Sequence, residues 1–279
     1  MASEVNHWRR LVLWWLGTSI VATLLVVLLL APILPPGNGS VEASGQVVDN
    51  TVLLGISTPV AMAVLVFFIY ALIAFRERDS AAAVDGPPIR GDARVQTWWL
   101  AVTTGIVLFL AGYGTVRLLA DGAGGGQGPN PIAAPAGAEH ALQVQVIAQQ
   151  WKFTYRWPSY GGVETAALDL PAHQMIEFHV TSLDVIHSFW AYQLGVKADA
   201  EPGFDNIAYV TTKAPLAFGI HCAELCGVWH GYMFATGHVV TKRAFKTWIA
   251  QQRQQYAPAT KKLAPYSKQY FPDPQRRGG

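Results

Sequence analysis

Residues Gly219 to Phe234 read GIHCAELCGVWHGYMF. Within them Cys222, Cys226, His230 and Met233 follow the spacing C-x3-C-x3-H-x2-M, and a further histidine, His187, stands upstream in DVIHSFW. Thiolates, imidazoles and a thioether are soft to borderline ligands that select copper, zinc or iron–sulfur chemistry over magnesium or calcium. The methionine narrows the field, because structural zinc sites are built from cysteine and histidine. Histidine, cysteine and methionine together in a small exported β-domain form the pattern of electron-transfer copper. A blue-copper site needs one cysteine, whereas two thiolates on one loop can bridge two copper ions, each also taking a histidine. The same two cysteines can form a disulfide in an oxidising compartment, an alternative that His187, His230 and Met233 disfavour. Gly227 and Trp229 suit a tight loop packed against a strand.

The sequence around this loop has the texture of short strands. ALQVQVIAQQWKFTYRW, MIEFHVTS, NIAYVTT and GHVVTK alternate or are rich in β-branched and aromatic residues, and PSYGG, LPAH, PGF and KAP punctuate them. Such spacing predicts a β-sandwich or barrel, here assigned to residues 139–245. A short helix around Arg243–Gln255 and a polar tail complete the chain, so residues 246–279 are the end of that helix and the tail. Upstream, residues 121–138 read DGAGGGQGPNPIAAPAGA, a glycine- and proline-rich linker.

Residues 1–120 are of another kind. Three apolar stretches, at about 11–34, 52–75 and 95–120, are long enough to cross a membrane, which takes roughly 20 residues. The third carries Arg117 near one end, where a long side chain can snorkel to the interface. Arg9 and Arg10 precede the first stretch, and Arg76, Arg78, Arg90 and Arg94 lie between the second and third. The positive-inside rule therefore puts the amino terminus and the 76–94 loop in the cytoplasm and everything after Ala120 outside. The first stretch also has the basic flank of a cleaved signal peptide, though its apolar run is longer than usual. Trp14, Trp15, Trp98 and Trp99 read as anchors at the membrane interface.

Composition agrees. Of 279 residues 51% are hydrophobic and 14% charged, against about 25% charged in soluble domains. A net charge of +2 without a basic block argues against a nucleic-acid partner. Two cysteines are too few for a disulfide scaffold.

The loop GIHCAELCGVWHGYM resembles the CuA loop of cytochrome c oxidase subunit II, with its C-x-E-x-C-x3-H-x2-M pattern. DVIHSFWAYQLGVKADAEPG looks like the upstream ligand segment of that family, and QQWKFTYRW like its aromatic stretch. The resemblance runs roughly from Val52 to Trp248, leaving the first span as an addition to the common two-span form. It implies an α+β membrane protein with N-terminal transmembrane helices followed by an all-β, cupredoxin-like Greek-key barrel outside the cell (plasma) membrane. Cys222 and Cys226 would bridge both ions of a binuclear copper (CuA) centre. His187 and Met233 would complete one copper, His230 and the Glu224 carbonyl the other. The Glu224 side chain would reach a magnesium ion shared with the catalytic haem-copper subunit I. Trp151 would take electrons from cytochrome c, and Asp184 would help to dock that donor. The chain itself would be a non-catalytic, electron-transferring subunit of the oxidase, an oxidoreductase and proton translocase, with lipid and other oxidase subunits as further partners.

Some positions depart from the family pattern. Gln96 replaces a glutamate at the start of the last span, Phe204 stands where arginine is common, His221 replaces a glutamine, and Phe153 a tryptophan. Gln96 gives some support to a CuA subunit of a haem-copper nitric-oxide reductase. A membrane-tethered copper carrier is the rival from another class, but carriers use fewer, more open ligands. Quinol oxidase subunits lack the copper ligands, and CGVWH is not the C-x-x-C-H of a c-type haem. His173, His179, His221 and His238 are expected as strand or loop residues without a metal.

Overall fold

The structure, a computed structural model, describes residues 6–34, 37–76, 91–121 and 134–262. Most of the expected linker (122–133), the tail beyond 262, and Arg78 and Arg90 of the basic loop lie outside the described residues. Two compact units are present. One comprises Met1–Ile33 with Asp49–Leu118, the other Leu34–Val48 with Leu119–Gly279.

The first unit is helical. Helix α1 (His7–Leu25) runs on through a π turn at Val26–Leu30 and a 3-10 turn at Ala31–Ile33; α2 is Val41–Ala74 and α3 is Ala93–Asp121. All three helices are long and apolar enough to cross a membrane. Asn6 caps α1, its side chain accepting from the Arg9 amide. Helix α2 begins at Val41, well before the expected start near residue 52. The Ser40 hydroxyl accepts from the Ala43 amide at 2.8 Å, and Glu42 sits in the first turn, where the helix dipole favours an anion. Asp49 is therefore helical, and it changes the reading of Arg117. The Arg117 guanidinium donates to Asp49 Oδ1 at 2.9 Å and the Tyr113 hydroxyl to the same oxygen at 2.6 Å. Arg117 is thus paired rather than free to snorkel. The Trp15 indole donates to the Pro59 carbonyl at 2.8 Å and ties α1 to α2.

The second unit is the β-domain, two five-stranded sheets as the expected sandwich or barrel requires. Its strands are β1 (Leu142–Gln149), β2 (Lys152–Trp157), β3 (Val163–Thr165), β4 (Asp169–Pro171), β5 (Met175–Ser182), β6 (His187–Ala191), β7 (Val196–Ala200), β8 (Asn206–Thr211), β9 (Leu216–Cys222) and β10 (Phe234–Val240). The sheets run β3-β2-β1-β5-β8 and β4-β10-β9-β6-β7. The β1–β5 and β4–β10 pairs are parallel and the other ladders antiparallel. Alternation sorts the outer strands: in VKADA (β7) Val196, Ala198 and Ala200 are buried, Lys197 and Asp199 exposed, whereas β1 and β5 carry runs of buried residues. At the centre Phe189 packs its ring against Phe153, Tyr155 and Phe178. The closing helix α4 (Lys242–Lys262) starts near the expected position and runs further. It buries Phe245 and Ile249, one turn apart, with Phe245 and Trp248 against Trp157. Each such burial stabilises by roughly 1.5–3 kcal/mol.

Residues ahead of α2 belong to this β-unit. Gly39 donates to the Gln193 carbonyl at 2.8 Å and accepts from the Lys213 amide at 3.0 Å. The Ser40 hydroxyl donates to the Leu194 carbonyl at 2.7 Å, and Gln46 Nε2 to the Gly195 carbonyl at 2.7 Å. Glu42 accepts from the Thr211 amide at 2.7 Å, satisfying a donor at the end of β8, which is an edge strand with no sheet neighbour on that side. Gly195 has φ +68°, and a Cβ there would stand 2.9 Å from Ala43 Cα, so the close approach of this strap requires glycine.

Candidate metal centre

Strand pairing assembles the ligands. Strands β6 and β9 are antiparallel with Phe189 opposite Cys222, which sets His187 beside the end of β9. The Ala223 amide donates to the Ser188 carbonyl at 3.0 Å and holds the start of the loop there. The Cys222 amide donates to the Met233 carbonyl at 3.0 Å, so both ends of the loop are joined. Within it the His230 amide donates to the Gly227 carbonyl and the Met233 amide to the His230 carbonyl, each at 3.1 Å. Gly227 has φ +117°, and a Cβ there would meet Gln150 Nε2 at 3.0 Å and the Trp151 ring at 3.3 Å. Only glycine fits this turn.

The side chains converge. Cys222 Sγ and Cys226 Sγ are 3.7 Å apart, and both cysteines are free, against about 2.05 Å for a disulfide. His187 Nδ1 is 3.8 Å from Cys222 Sγ and His230 Nδ1 is 3.5 Å from Cys226 Sγ. Met233 Sδ is 3.9 Å from Cys226 Sγ, and the Glu224 carbonyl oxygen is 3.2 Å from Cys222 Sγ. His187, Cys222 and Cys226 have ligand atoms that all lie within 4.8 Å of one another. His187 is fully buried and Met233 2% exposed.

Burial and the neighbouring Cys222 push the Cys226 thiol up. Two thiols this close and this buried do not both ionise without a cation between them, and a bound metal supplies that charge. Two thiol sulfurs, two imidazole nitrogens and a thioether in one cluster fit copper better than magnesium or calcium.

The remaining expected residues fall into place around this cluster. The Glu224 carbonyl faces the sulfurs while its side chain is exposed. The Trp151 indole donates to the Cys226 carbonyl at 3.1 Å, and Gln150 Nε2 donates to the same oxygen at 2.9 Å. Sequence reasoning missed Gln150, though it adjoins Trp151 in the QQW motif. Asp184 Oδ1 accepts from His187 Nε2 at 2.9 Å and from the Val185 amide at 2.7 Å, and Oδ2 accepts from the Gln150 amide at 2.7 Å. Burial pushes the Asp184 carboxyl up, but the Gln150, His187 and Val185 bonds more than offset that and hold it below its usual value. Trp229 corrects an expectation. It is 53% exposed, stacked edge-on against Tyr232 rather than packed on a strand, because the tight turn at Gly227 throws the following residues outward. With Leu225, Val228 and Tyr232 it leaves an apolar rim around the centre.

His221 stacks between Tyr192 and Phe234, and His238 Nδ1 is 3.2 Å from Asp169. His179 lies between two carboxylates: Nδ1 is 2.7 Å from Asp205 Oδ2 and Nε2 is 3.5 Å from Glu177 Oε1.

Fold and cluster together define a class, a protein with three helices long and apolar enough to cross a membrane and a two-sheet β-domain whose thiol, imidazole and thioether groups could hold a soft metal. Residues 165–240 match the family described as "Cytochrome C oxidase subunit II, periplasmic domain". The "Cytochrome c oxidase subunit 2" of Synechocystis is 28% identical over 75% of this chain and 73% of its own length. That of Bacillus subtilis is 25% identical over 96% and 74%. The "Probable cytochrome c oxidase subunit 2" of Rickettsia prowazekii is 34% identical over 39% and 42%. A crystal structure of the periplasmic domain of subunit II of cytochrome oxidase of Bradyrhizobium japonicum is similar with a TM-score of 0.40 and 27% identity, over 41% of this chain and 95% of that one. The resemblance read in the loop motif is therefore borne out: the chain is similar to cytochrome c oxidase subunit II in its β-domain and across most of its length.

Proposed function

We propose that this chain is the electron-accepting subunit of a haem-copper cytochrome c oxidase. It takes electrons from cytochrome c on the β-domain and delivers them to haem in a separate catalytic subunit, which reduces oxygen to water and translocates protons. The observation that carries the reading is the pair of unbonded, buried cysteine sulfurs 3.7 Å apart with imidazole nitrogens at both flanks. A binuclear copper centre bound there supplies one-electron acceptance and release.

The chain's own groups do the rest. Cys222, Cys226, His187, His230, Met233 and the Glu224 carbonyl would hold the copper, and the hydrogen-bonded loop would fix them so that little rearranges on electron transfer. Trp151, hydrogen-bonded to the Cys226 carbonyl, is the route from the donor, and the apolar rim of Leu225, Val228, Trp229 and Tyr232 is where partners seat. The exposed Glu224 carboxylate would hold a magnesium ion jointly with the catalytic subunit. The helices anchor the chain as a multi-pass protein of the plasma membrane, with 1–120 the membrane region and 139–245 the copper domain. The closed ligand set argues against a copper carrier, which needs ligands open to exchange.

The full chain, purified in detergent and loaded with copper, tests this by metal stoichiometry and electron paramagnetic resonance. Two coppers per chain with a seven-line, delocalised signal are expected. One copper or none, with Cys222 and Cys226 joined by a disulfide that re-forms after reduction, would reject it.

A further inference from the structure

Asp184 touches the ligand candidate His187 directly. Both of its oxygens are engaged, Oδ1 by the His187 ring, the Val185 amide and the Ser182 hydroxyl, Oδ2 by the Gln150 amide, and the side chain is 33% exposed. The Asp184 amide in turn donates to the Ser182 hydroxyl at 3.2 Å, so the carboxylate sits on a turn that is itself tied down.

The bond to His187 fixes a ring state. An ionised carboxylate only accepts, so His187 Nε2 carries a proton and Nδ1 turns its lone pair toward Cys222 Sγ, 3.8 Å away. The same carboxylate holds the backbone of Gln150, whose side chain, with the Trp151 indole, holds the Cys226 carbonyl. Asp184 and the Gln150–Trp151 turn thus brace the cluster from both sides, through His187 and through Cys226. On the proposed copper-binding function, on which this inference rests, we infer that Asp184 is a positioning residue: it sets the tautomer and orientation of His187 and links that ligand to the turn bearing Trp151.

The test uses the full chain in detergent, unsubstituted and as Asp184→Asn and Asp184→Glu. Asparagine keeps the size and loses the charge; glutamate keeps the charge and displaces it. A positioning role predicts that both variants bind copper about 10–100-fold more weakly, the usual loss when a ligand's hydrogen-bond partner is removed. Both should also alter the copper resonance spectrum. The ionic-strength dependence of reduction by cytochrome c should stay as in the unsubstituted chain. Unchanged affinity and spectrum in Asp184→Asn, with a flattened salt dependence that Asp184→Glu restores, would overturn the inference in favour of docking. Unchanged affinity, spectrum and salt dependence in both variants would overturn it as well. Far-ultraviolet circular dichroism of the copper-free variants, expected to match the unsubstituted chain, separates these effects from misfolding. If the unsubstituted chain itself binds no copper pair, the functional reading falls and this inference with it. A normal pair that is indifferent to both substitutions removes Asp184 alone.

Discussion

Two buried histidines, His179 on β5 and His187 on β6, each lean on an aspartate. Asp205 meets one ring nitrogen of His179 at 2.7 Å, and Asp184 meets one of His187 at 2.9 Å. What differs is the opposite edge of the ring. For His179 it looks at Glu177 Oε1, 3.5 Å away; for His187 it looks at Cys222 Sγ, 3.8 Å away. Burial alone would push His179 down, but the bonds to Asp205 and Glu177 outweigh it and raise it to about 9. Glu177 shows the complement: burial pushes it up, while His179, Tyr209 and Gln143 bring it down to about 2. An imidazole with a carboxylate at each edge is a structural cation. One with a carboxylate on one edge and sulfur on the other keeps a lone pair for a metal. The same residue type, equally hidden, does opposite work according to its second neighbour.

Substitutions can pull the two sites apart. The largest effect belongs to Cys222→Ser, which removes a bridging sulfur: copper is expected to fall from two per chain to one or none by elemental analysis, while the copper-free chain melts as before. Asp205→Ala strands an imidazolium beside a single carboxylate, and breaking such a buried pair costs about 3 kcal/mol. Thermal or urea unfolding of the β-unit should show that loss with copper stoichiometry intact; loss of copper instead would mean the sites are not independent.

A third way to separate them is pH. Because the folded pKa of His179 is raised, its stabilisation is fully present below about 6.5 and is lost as pH rises through about 9. That decline amounts to roughly 2–3 kcal/mol. In copper-free protein it should vanish in His179→Gln; a decline that survives that substitution would have another source. Burial and Cys222 raise Cys226 from 9.0 to about 12, so its contribution to stability is lost only above about 9, beyond the window of His179. Smallest of all is Met233→Leu. A thioether contributes a weak bond and the leucine fills much the same volume, so copper is retained and the reduction potential shifts; an unmoved potential would exclude Met233 as a ligand.

How far the sequence speaks depends on how locally each feature is encoded. Cys222, Cys226, His230 and Met233 share one loop, so their spacing alone declares them. His187 is 35 residues upstream of Cys222 and reaches it only through the β6–β9 ladder, and its role rested on resemblance. Nothing in the spacing of Asp184 could show that both its oxygens are taken, because one bond comes from the direction of a ring and the other from the backbone at Gln150. The His179 cluster was read as a plain strand histidine. Its partner Asp205 is 26 residues away, brought close where Val180 faces Asn206. The three apolar helices and the strands with strong alternation are plain, whereas β3 and β4, three residues each, are too short to show a pattern. Gly39 and Ser40 lie between two apolar stretches, and a strap held by backbone hydrogen bonds carries no hydrophobic signature.

That strap sets an order of events for the growing chain. Residues 37–46 are made before the rest of α2 and before α3, and the groups they bond, at Gln193, Leu194, Gly195, Thr211 and Lys213, are made after them. The earliest piece of the β-unit must therefore wait, its donors and acceptors on water, while the rest of α2 and α3 are synthesised. The unit is also not a contiguous passage of sequence. A gene fragment opened at residue 139 encodes a barrel with the end of an edge strand bare and part of its own wall left behind.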